Sequence, residues 1–175
     1  MPNWCYNRMY LESGKPIKDL ISDYLDDDTN GNLEFLFDRI IPVPEDLKIT
    51  AQYGNSELEE KYKSNIDKHG YAHWYDFCVD RWGTKWTGAD GMFNDDETSF
   101  SFNTAWAPPL GIVKELAKKV NLGEDTIILD YIEEGNNFCG KYLASKEADN
   151  DECYNDLADA PKEFLDSLGY EPCED

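Results

Sequence analysis

The spacing of apolar residues along the first half of the chain predicts strands and one helix. Residues 3–12 alternate apolar and polar side chains, as a half-buried strand does. Between residues 15 and 27 the apolar positions return at i, i+3, i+4, i+7 and i+8, which predicts an amphipathic helix. Residues 33–44 are mostly apolar and end in two prolines, which predicts a buried strand stopped at the prolines.

The second half of the chain predicts three helices and three more strands. A short helix is expected over 57–68, and a second over 71–83, where aromatic residues recur at helical spacing before Gly83. Residues 98–106 alternate as a strand, and a third helix follows Pro108 and Pro109 over 110–120. Residues 126–145 predict two strands joined by a hairpin turn. This order of elements favours an α+β protein, with helices mainly on one face of an antiparallel sheet.

The charge of the chain limits its partners. Acidic residues number 37 against 16 basic residues, so the net charge is −21. Free DNA, free RNA and anionic lipid are poor partners, because no basic surface is available to neutralise phosphates. A basic protein partner is favoured instead. The acidic residues are concentrated in 19–28, 90–97 and 147–175.

The last of these acidic segments differs in composition from the rest of the chain. Residues 147–175 contain 11 acidic side chains and a single basic one, Lys162. We therefore expect one domain over residues 1–146, followed by an acidic C-terminal extension over 147–175. A helical turn or two is expected in this extension after Pro161.

The cysteines and the hydropathy predict a reduced, cytoplasmic protein. No CxxC pair, apolar N-terminal signal or membrane-length apolar run occurs, so we expect no membrane association. The cysteines are expected to act as small buried apolar residues rather than as disulfides or ligands. They are five in number and scattered: Cys5, Cys78, Cys139, Cys153 and Cys173.

Four stretches of the sequence together resemble a known family. They are MPNWCYN at the start, WGTKW at 82–86, FNTAWAPP at 102–109 and YIEEGNNFCG at 131–140. In this order they resemble the YubB/Api92-like ferredoxin-like domain family of plasmids and bacteriophages. The resemblance implies a ferredoxin-like α+β fold without an iron–sulfur cluster, located in the host cytoplasm when the gene is carried by a phage. It implies nothing about catalysis.

No set of residues predicts catalysis or a metal site. The nucleophile-elbow, Walker and Rossmann glycine patterns are absent from the sequence. Cys78 lies on an apolar helical stripe, where a buried thiol is expected rather than a nucleophile activated by His69 or His73. We therefore expect a protein that is not an enzyme and that has no metal and no cofactor.

The preferred functional hypothesis rests on the acidic residues. They are expected to occupy a phosphate-binding groove of a basic, nucleic-acid-binding host protein, so that the chain inhibits an anti-phage defence of the CRISPR or restriction type. This DNA mimicry would involve Asp26, Asp27, Asp28, Asp95, Asp96, Glu97, Asp149, Asp151 and Glu152. The simpler alternative is a solvated acidic surface. The sequence leaves the oligomeric state open.

A second hypothesis concerns the tryptophan-rich segment RWGTKW. Its rings and polar groups would form a pocket for a small planar or cationic ligand, such as a nucleotide or a metabolite. The residues concerned are Trp82, Thr84, Lys85, Trp86 and Trp106. The simpler alternative is that the rings anchor a helix to the sheet, with Lys85 lying over a tryptophan face.

Overall fold

The computed structural model describes residues 3–28, 31–50, 52 and 56–171, and within them eight strands form one antiparallel sheet. The strands are β1 (Trp4–Leu11), β2 (Leu25–Asp27), β3 (Leu33–Phe35), β4 (Gly88–Phe93), β5 (Ser99–Ala105), β6 (Ile127–Glu133), β7 (Phe138–Ala144) and β8 (Asp149–Tyr154). The α-helices described are α1 (Lys18–Ile21), α2 (Ser56–His69), α3 (Trp74–Arg81), α4 (Leu110–Lys119) and α5 (Lys162–Ser167).

The centre of the sheet has a β-α-β-β-α-β connectivity. The strand order is β2-β3-β4-β5-β1-β6-β7-β8, so β1 lies between β5 and β6 and pairs antiparallel with both. Helix α3 ends the long connection from β1 to the β4–β5 hairpin, which also contains α1, β2, β3 and α2, and α4 connects that hairpin to β6. This arrangement is the ferredoxin-like motif. The predicted α+β, ferredoxin-like class is confirmed, and the short strands β2 and β3 extend the sheet at one edge.

The main core lies between one face of the sheet and the helices. Alternate residues of β1 are fully buried, as the sequence pattern requires, and α4 presents an apolar stripe to the same face. The residues that fill this layer include Met9, Phe100, Phe102, Leu129, Phe77, Cys78, Ile112 and Leu116. The helical stripe, the strand alternation and the hairpin predicted for residues 71–145 are all present.

The helix predicted over residues 15–27 is wrong beyond its first turn. Helix α1 ends at Ile21, a 3₁₀ turn follows over Ser22–Tyr24, and the chain is extended from Leu25. The Ser22 hydroxyl donates a hydrogen bond to the Lys18 carbonyl at 2.6 Å, and such side-chain bonds compete with regular helix. Pairing of β2 with β3 then satisfies the backbone groups that a longer helix would have bonded internally.

The strand predicted over residues 33–44 is also too long. Strand β3 ends at Phe35, and residues Phe37–Arg39 form a 3₁₀ turn. The Asp38 carboxylate accepts the Val43 backbone N–H at 2.7 Å and closes this segment into a compact loop. Tertiary burial of Phe37, Ile40 and Ile41, rather than a sheet, accounts for the run of apolar residues.

The acidic extension is folded against the sheet as far as residue 171, and residues 172–175 lie outside the described residues. Strand β8 pairs with β7 and forms one edge of the sheet. Helix α5 follows Pro161 and packs on the face opposite to α3 and α4. There its Leu165 contributes to a second, smaller cluster that also contains Ile132, Cys139 and Leu157.

Among the described residues, no helix is both long enough and apolar enough to span a membrane.

The contact between α3 and α4 generates the first prediction. A Cβ atom on Gly111, in the first turn of α4, would lie 2.1 Å from the Arg81 carbonyl oxygen. Intrinsic helix propensity alone favours alanine over glycine by about 1 kcal/mol. We expect Gly111→Ala to destabilise the fold instead, by about 1 to 3 kcal/mol, because both backbones must move apart.

Urea unfolding followed by circular dichroism measures this difference. The control is Lys119→Ala, an exposed position near the end of the same helix, where a change within about 0.5 kcal/mol is expected. A Gly111→Ala variant as stable as the wild type would show that this close approach does not constrain the fold.

Candidate ligand-binding cleft

The RWGTKW segment begins as a tightly packed corner at the end of α3. The Trp82 ring is buried in the main core, and its indole N–H donates to the Ile41 carbonyl at 2.9 Å. Gly83 has a φ of +91°, and a Cβ atom there would lie 2.8 Å from the Pro108 carbonyl oxygen. The WGTKW and FNTAWAPP stretches therefore meet at this corner, and their contact requires glycine at position 83.

Thr84 connects this corner to the sheet. Its side chain is buried, and its hydroxyl donates to the Ala105 carbonyl at 2.8 Å, at the end of β5. The hydroxyl hydrogen is thus used in the fold and is unavailable to a ligand. Thr84 acts here as a structural residue, in contrast to the predicted pocket role.

Lys85 is held between two tryptophan rings. Its ammonium nitrogen lies 3.7 Å from the centroid of Trp86 and 3.8 Å from that of Trp106. Both distances are typical of cation–π contacts. Trp4 lies against Trp86 with a centroid separation of 6.4 Å, and these three rings are 39–44% exposed. The lysine and the rings therefore form an aromatic cluster on the surface, already occupied by a cation of the chain itself.

A cleft of about 530 Å³ opens beside this cluster. Trp74 and Cys78 of α3 form one wall, Trp82, Trp86 and Thr87 a second, and residues of the 36–50 segment a third. The lining residues of that segment are Leu36, Asp38, Val43, Lys48, Ile49 and Thr50. Of the five residues predicted for a pocket, Trp82 and Trp86 thus line the cleft, whereas Thr84, Lys85 and Trp106 do not.

The polar groups of the cleft lie on its 36–50 wall. The Lys48 ammonium lies 2.7 Å from the Glu45 carboxylate and 3.8 Å from that of Asp38. The hydrogen bond that the Lys48 ammonium donates to the Glu45 carboxylate raises the pKa of Lys48, so the ammonium stays charged at neutral pH. Asp38 and Lys48, the charged residues of the lining, balance each other, and the exposed Glu45 carboxylate adds a negative charge next to Lys48.

Sequence reasoning missed the polar residues of this wall. Asp38 and Lys48 are far from the tryptophans in sequence, and no motif connects them with RWGTKW. Their proximity to Trp86 follows from the compact loop over residues 37–47, of which the sequence predicts 37–44 as part of a strand. Trp74 belongs to the aromatic residues at helical spacing in the predicted helix over 71–83, but that spacing does not indicate that its ring lines a cleft.

The thiol in the cleft wall is not suited to nucleophilic chemistry. Cys78 is buried, and burial, with a smaller effect of the Asp38 carboxylate, raises the pKa of its thiol to about 12. The thiolate is therefore negligible at neutral pH. Cys5 and Cys139 are also buried, Cys153 is exposed on β8, and Cys173 lies outside the described residues.

The predicted acidic surface is divided between the two ends of the sheet. Asp26 and Asp27 lie on the edge strand β2, Asp28 follows it, and Asp95, Asp96 and Glu97 occupy the β4–β5 turn. Asp149, Asp151 and Glu152 lie on β8, the opposite edge strand. Seven strand spacings separate β2 from β8, which is roughly 30 Å along the sheet.

Several of these carboxylates are bonded within the chain. Asp26 pairs with Arg39 at 3.1 Å, Glu97 with Lys18, and Asp149 with Lys114 at 2.8 Å. The hydrogen bond from Lys114 lowers the pKa of Asp149. Asp28 accepts the Asn32 backbone N–H at 2.9 Å, and Asp151 accepts the Tyr131 hydroxyl at 2.8 Å. Not every predicted acidic side chain is therefore equally available to a partner.

The topology and the corner define a ferredoxin-like α+β domain with a cleft beside α3. Residues 81–165 match the family described as "Ferredoxin-like domain in Api92-like protein". The predicted resemblance to the Api92-like family is confirmed over these residues.

A crystal structure of protein api92 from Yersinia pseudotuberculosis is also similar to this chain. The alignment has a TM-score of 0.44 and 9% sequence identity, and it covers 87% of this chain and 98% of that protein. Among curated proteins, none matches the chain.

The environment of Cys78 yields a prediction on thiol reactivity. Because its pKa lies near 12 in the folded protein, we expect Cys78 to resist iodoacetamide at pH 8 and to react readily in urea, where burial is lost. Mass spectrometry of the digested protein after timed alkylation measures this. The exposed Cys153 is the internal reference and should react in the native state. Native alkylation of Cys78 at the rate of Cys153 would contradict the assignment.

Proposed function

We propose that the chain is a small-ligand-binding module and that its cleft takes a neutral or cationic aromatic molecule. The cleft itself carries this proposal: a concavity of about 530 Å³ in which Trp74, Trp82 and Trp86 converge. Its size lies within the range of small-molecule sites, about 300 to 1,000 Å³, and its lining is largely apolar with a few polar groups, as is usual for such sites.

The aromatic walls support a flat ligand. Indole rings gain about 0.5 to 1.5 kcal/mol from stacked or edge-on contacts with another ring, beyond the area that is buried. Trp86 is 41% exposed and lines the cleft, so a bound ring would cover apolar surface that is now hydrated. Trp82 supplies a rigid base, because its indole N–H is fixed to the Ile41 carbonyl.

The charge of the cleft supports a neutral or cationic ligand over an anionic one. Asp38 and Lys48 balance within the lining, and the exposed Glu45 carboxylate beside Lys48 adds a further negative charge next to the cleft. The net charge of −21 adds a negative potential that repels anions from the surface. A nucleotide, with its phosphates, therefore fits less well than a nucleobase, an aromatic amine or a similar metabolite.

Binding without chemistry is the simplest form of this proposal. The thiol in the wall is protonated at neutral pH, as its raised pKa requires. The carboxylate of Asp38 is bonded to the Val43 backbone N–H and serves the loop that forms the wall. Neither group therefore takes part in a chemical step in this proposal.

Two dyes that differ in one charged group test the proposal. N-phenyl-1-naphthylamine is a neutral aromatic amine, and 8-anilino-1-naphthalenesulfonate carries the same ring system with an added sulfonate. We expect the neutral dye to bind more tightly, and Trp86→Ala to weaken its binding about tenfold through loss of the stacked ring. Dye fluorescence measures both affinities.

The matched control truncates another exposed apolar side chain. Met92 on β4 is 63% exposed and does not line the cleft, so Met92→Ala should leave dye affinity within about twofold. Equal weakening by both variants, or tighter binding of the sulfonate, would refute the assignment of this cleft as an aromatic-ligand site.

A second candidate function follows from the position of the acidic residues. Both edge strands, β2 and β8, carry exposed carboxylates, and the β4–β5 turn carries three more. Such surfaces attract Lys- and Arg-lined grooves built for nucleic acid. We propose, as this alternative, that the chain inhibits a nucleic-acid-binding defence protein, of the CRISPR or restriction type, in the cytoplasm of a host cell.

Charge-neutralising variants test the alternative. One variant combines Asp27→Asn, Asp95→Asn and Glu152→Gln at the sheet edges and the turn, and its control combines Glu59→Gln, Glu60→Gln and Asp67→Asn on α2. Both change the net charge by the same amount. Cleavage of duplex DNA by purified restriction and CRISPR nucleases is the measurement. We expect wild-type inhibition that weakens steeply between 50 and 500 mM salt, and that falls about tenfold more in the edge variant than in the control.

Two results would remove this candidate. One is that the wild-type chain inhibits none of the nucleases in the panel. The other is equal inhibition by the edge variant and the α2 control, because the position of the charge would then be irrelevant.

A further inference from the structure

Lys85 contacts one wall of the cleft but does not line the cleft itself. Its ammonium lies 3.7 Å from the centroid of Trp86, whose ring lines the cleft. The same ammonium lies 3.8 Å from the centroid of Trp106, outside the cleft. The lysine thus connects a residue of the cleft to a residue at the end of β5.

Trp106 is itself fixed by the sheet. Its backbone N–H donates to the Asn3 carbonyl at 3.0 Å, and its φ of +70° is one that few residues other than glycine adopt. The preceding residue, Ala105, is buried, and its carbonyl accepts the Thr84 hydroxyl at 2.8 Å. Trp106 therefore offers a rigid surface against which the lysine is held.

Trp86 has fewer constraints of its own. Its side chain is 41% exposed, and its ring contact with Trp4 is a tilted one, with 6.4 Å between the centroids. An indole in such a position has several side-chain conformations available, and only some of them leave the cleft open and its wall flat. The ammonium above its face favours the conformation that is observed.

We propose that Lys85 is a positioning residue that clamps the Trp86 indole against Trp106 and so preorganises the cleft. This inference rests on the proposed ligand-binding function. Preorganisation raises affinity because the free protein has already lost the side-chain freedom that binding would otherwise remove. Lys85 acts without touching the ligand, which explains why a residue of the predicted pocket lies outside the cleft.

Lys85→Met tests the clamp, because methionine keeps much of the length of the side chain and loses the charge. Binding of the neutral dye N-phenyl-1-naphthylamine should weaken about threefold to tenfold. Because the dye is neutral, removal of the Lys85 charge does not change the Coulomb energy of the bound dye. A loss of affinity therefore reports positioning of Trp86 rather than direct attraction between Lys85 and the dye. Lys85→Arg, which keeps the cation over the rings, should restore affinity to within about twofold of the wild type.

A second measurement, on the protein without dye, reports the ring itself. Acrylamide quenching of tryptophan fluorescence should increase in Lys85→Met, because the Trp86 ring is released, and return to the wild-type value with Lys85→Arg. The difference should vanish when Trp86→Phe is present in both proteins. Lys119→Met, at an exposed lysine of α4, is the matched control and should change neither measurement.

The two proposals fail in different ways. A wild-type protein that does not bind the dye would refute the cleft as a ligand site and, with it, the role of Lys85 in affinity. Unchanged quenching in Lys85→Met would refute the clamp, whatever the dye does. If Lys85→Met and the wild type bind the dye with equal affinity although their quenching differs, the clamp does not preorganise the cleft.

Discussion

The close approach of the end of α3 to the start of α4 determines the position of everything else in the site. Gly111 allows the first turn of α4 to reach the Arg81 carbonyl, and Gly83 allows the corner to contact Pro108. Any side chain at either position would push these segments apart. Because both segments are held here, the residues that follow Trp82 leave the core in one direction and place Trp86 beside the cleft.

Local patterns predicted most of the fold, and long-range contacts decided the rest. The stripe of α4, the alternation of β1 and β5 and the β6–β7 hairpin could be predicted, because each buries one face along a continuous segment. The three-residue strands β2 and β3 could not, because their extended conformation depends on pairing with each other and with β4. The helical pattern before Leu25 is real, but it is overridden by this pairing.

The residues of the candidate site could likewise be predicted only where they lie close together in the sequence. Trp82 and Trp86 could be assigned because they belong to one short aromatic segment. Asp38 and Lys48 could not, because a compact loop far away in the sequence brings them to the same cleft. Thr84 and Lys85 have the residue types expected in a pocket, but the fold uses their polar groups internally.

The acidic surface and the cleft are adjoining rather than independent features. Arg39, next to Asp38 in the sequence, donates to the Leu25 carbonyl and to the Asp26 carboxylate of β2, at 2.9 and 3.1 Å. The acidic edge is thereby attached to the loop that forms the polar wall of the cleft. At moderate salt, charges act on one another over about 10 Å, the screening length. For the proposed ligand site, this charge would raise the local concentration of cations at the cleft and lower that of anions.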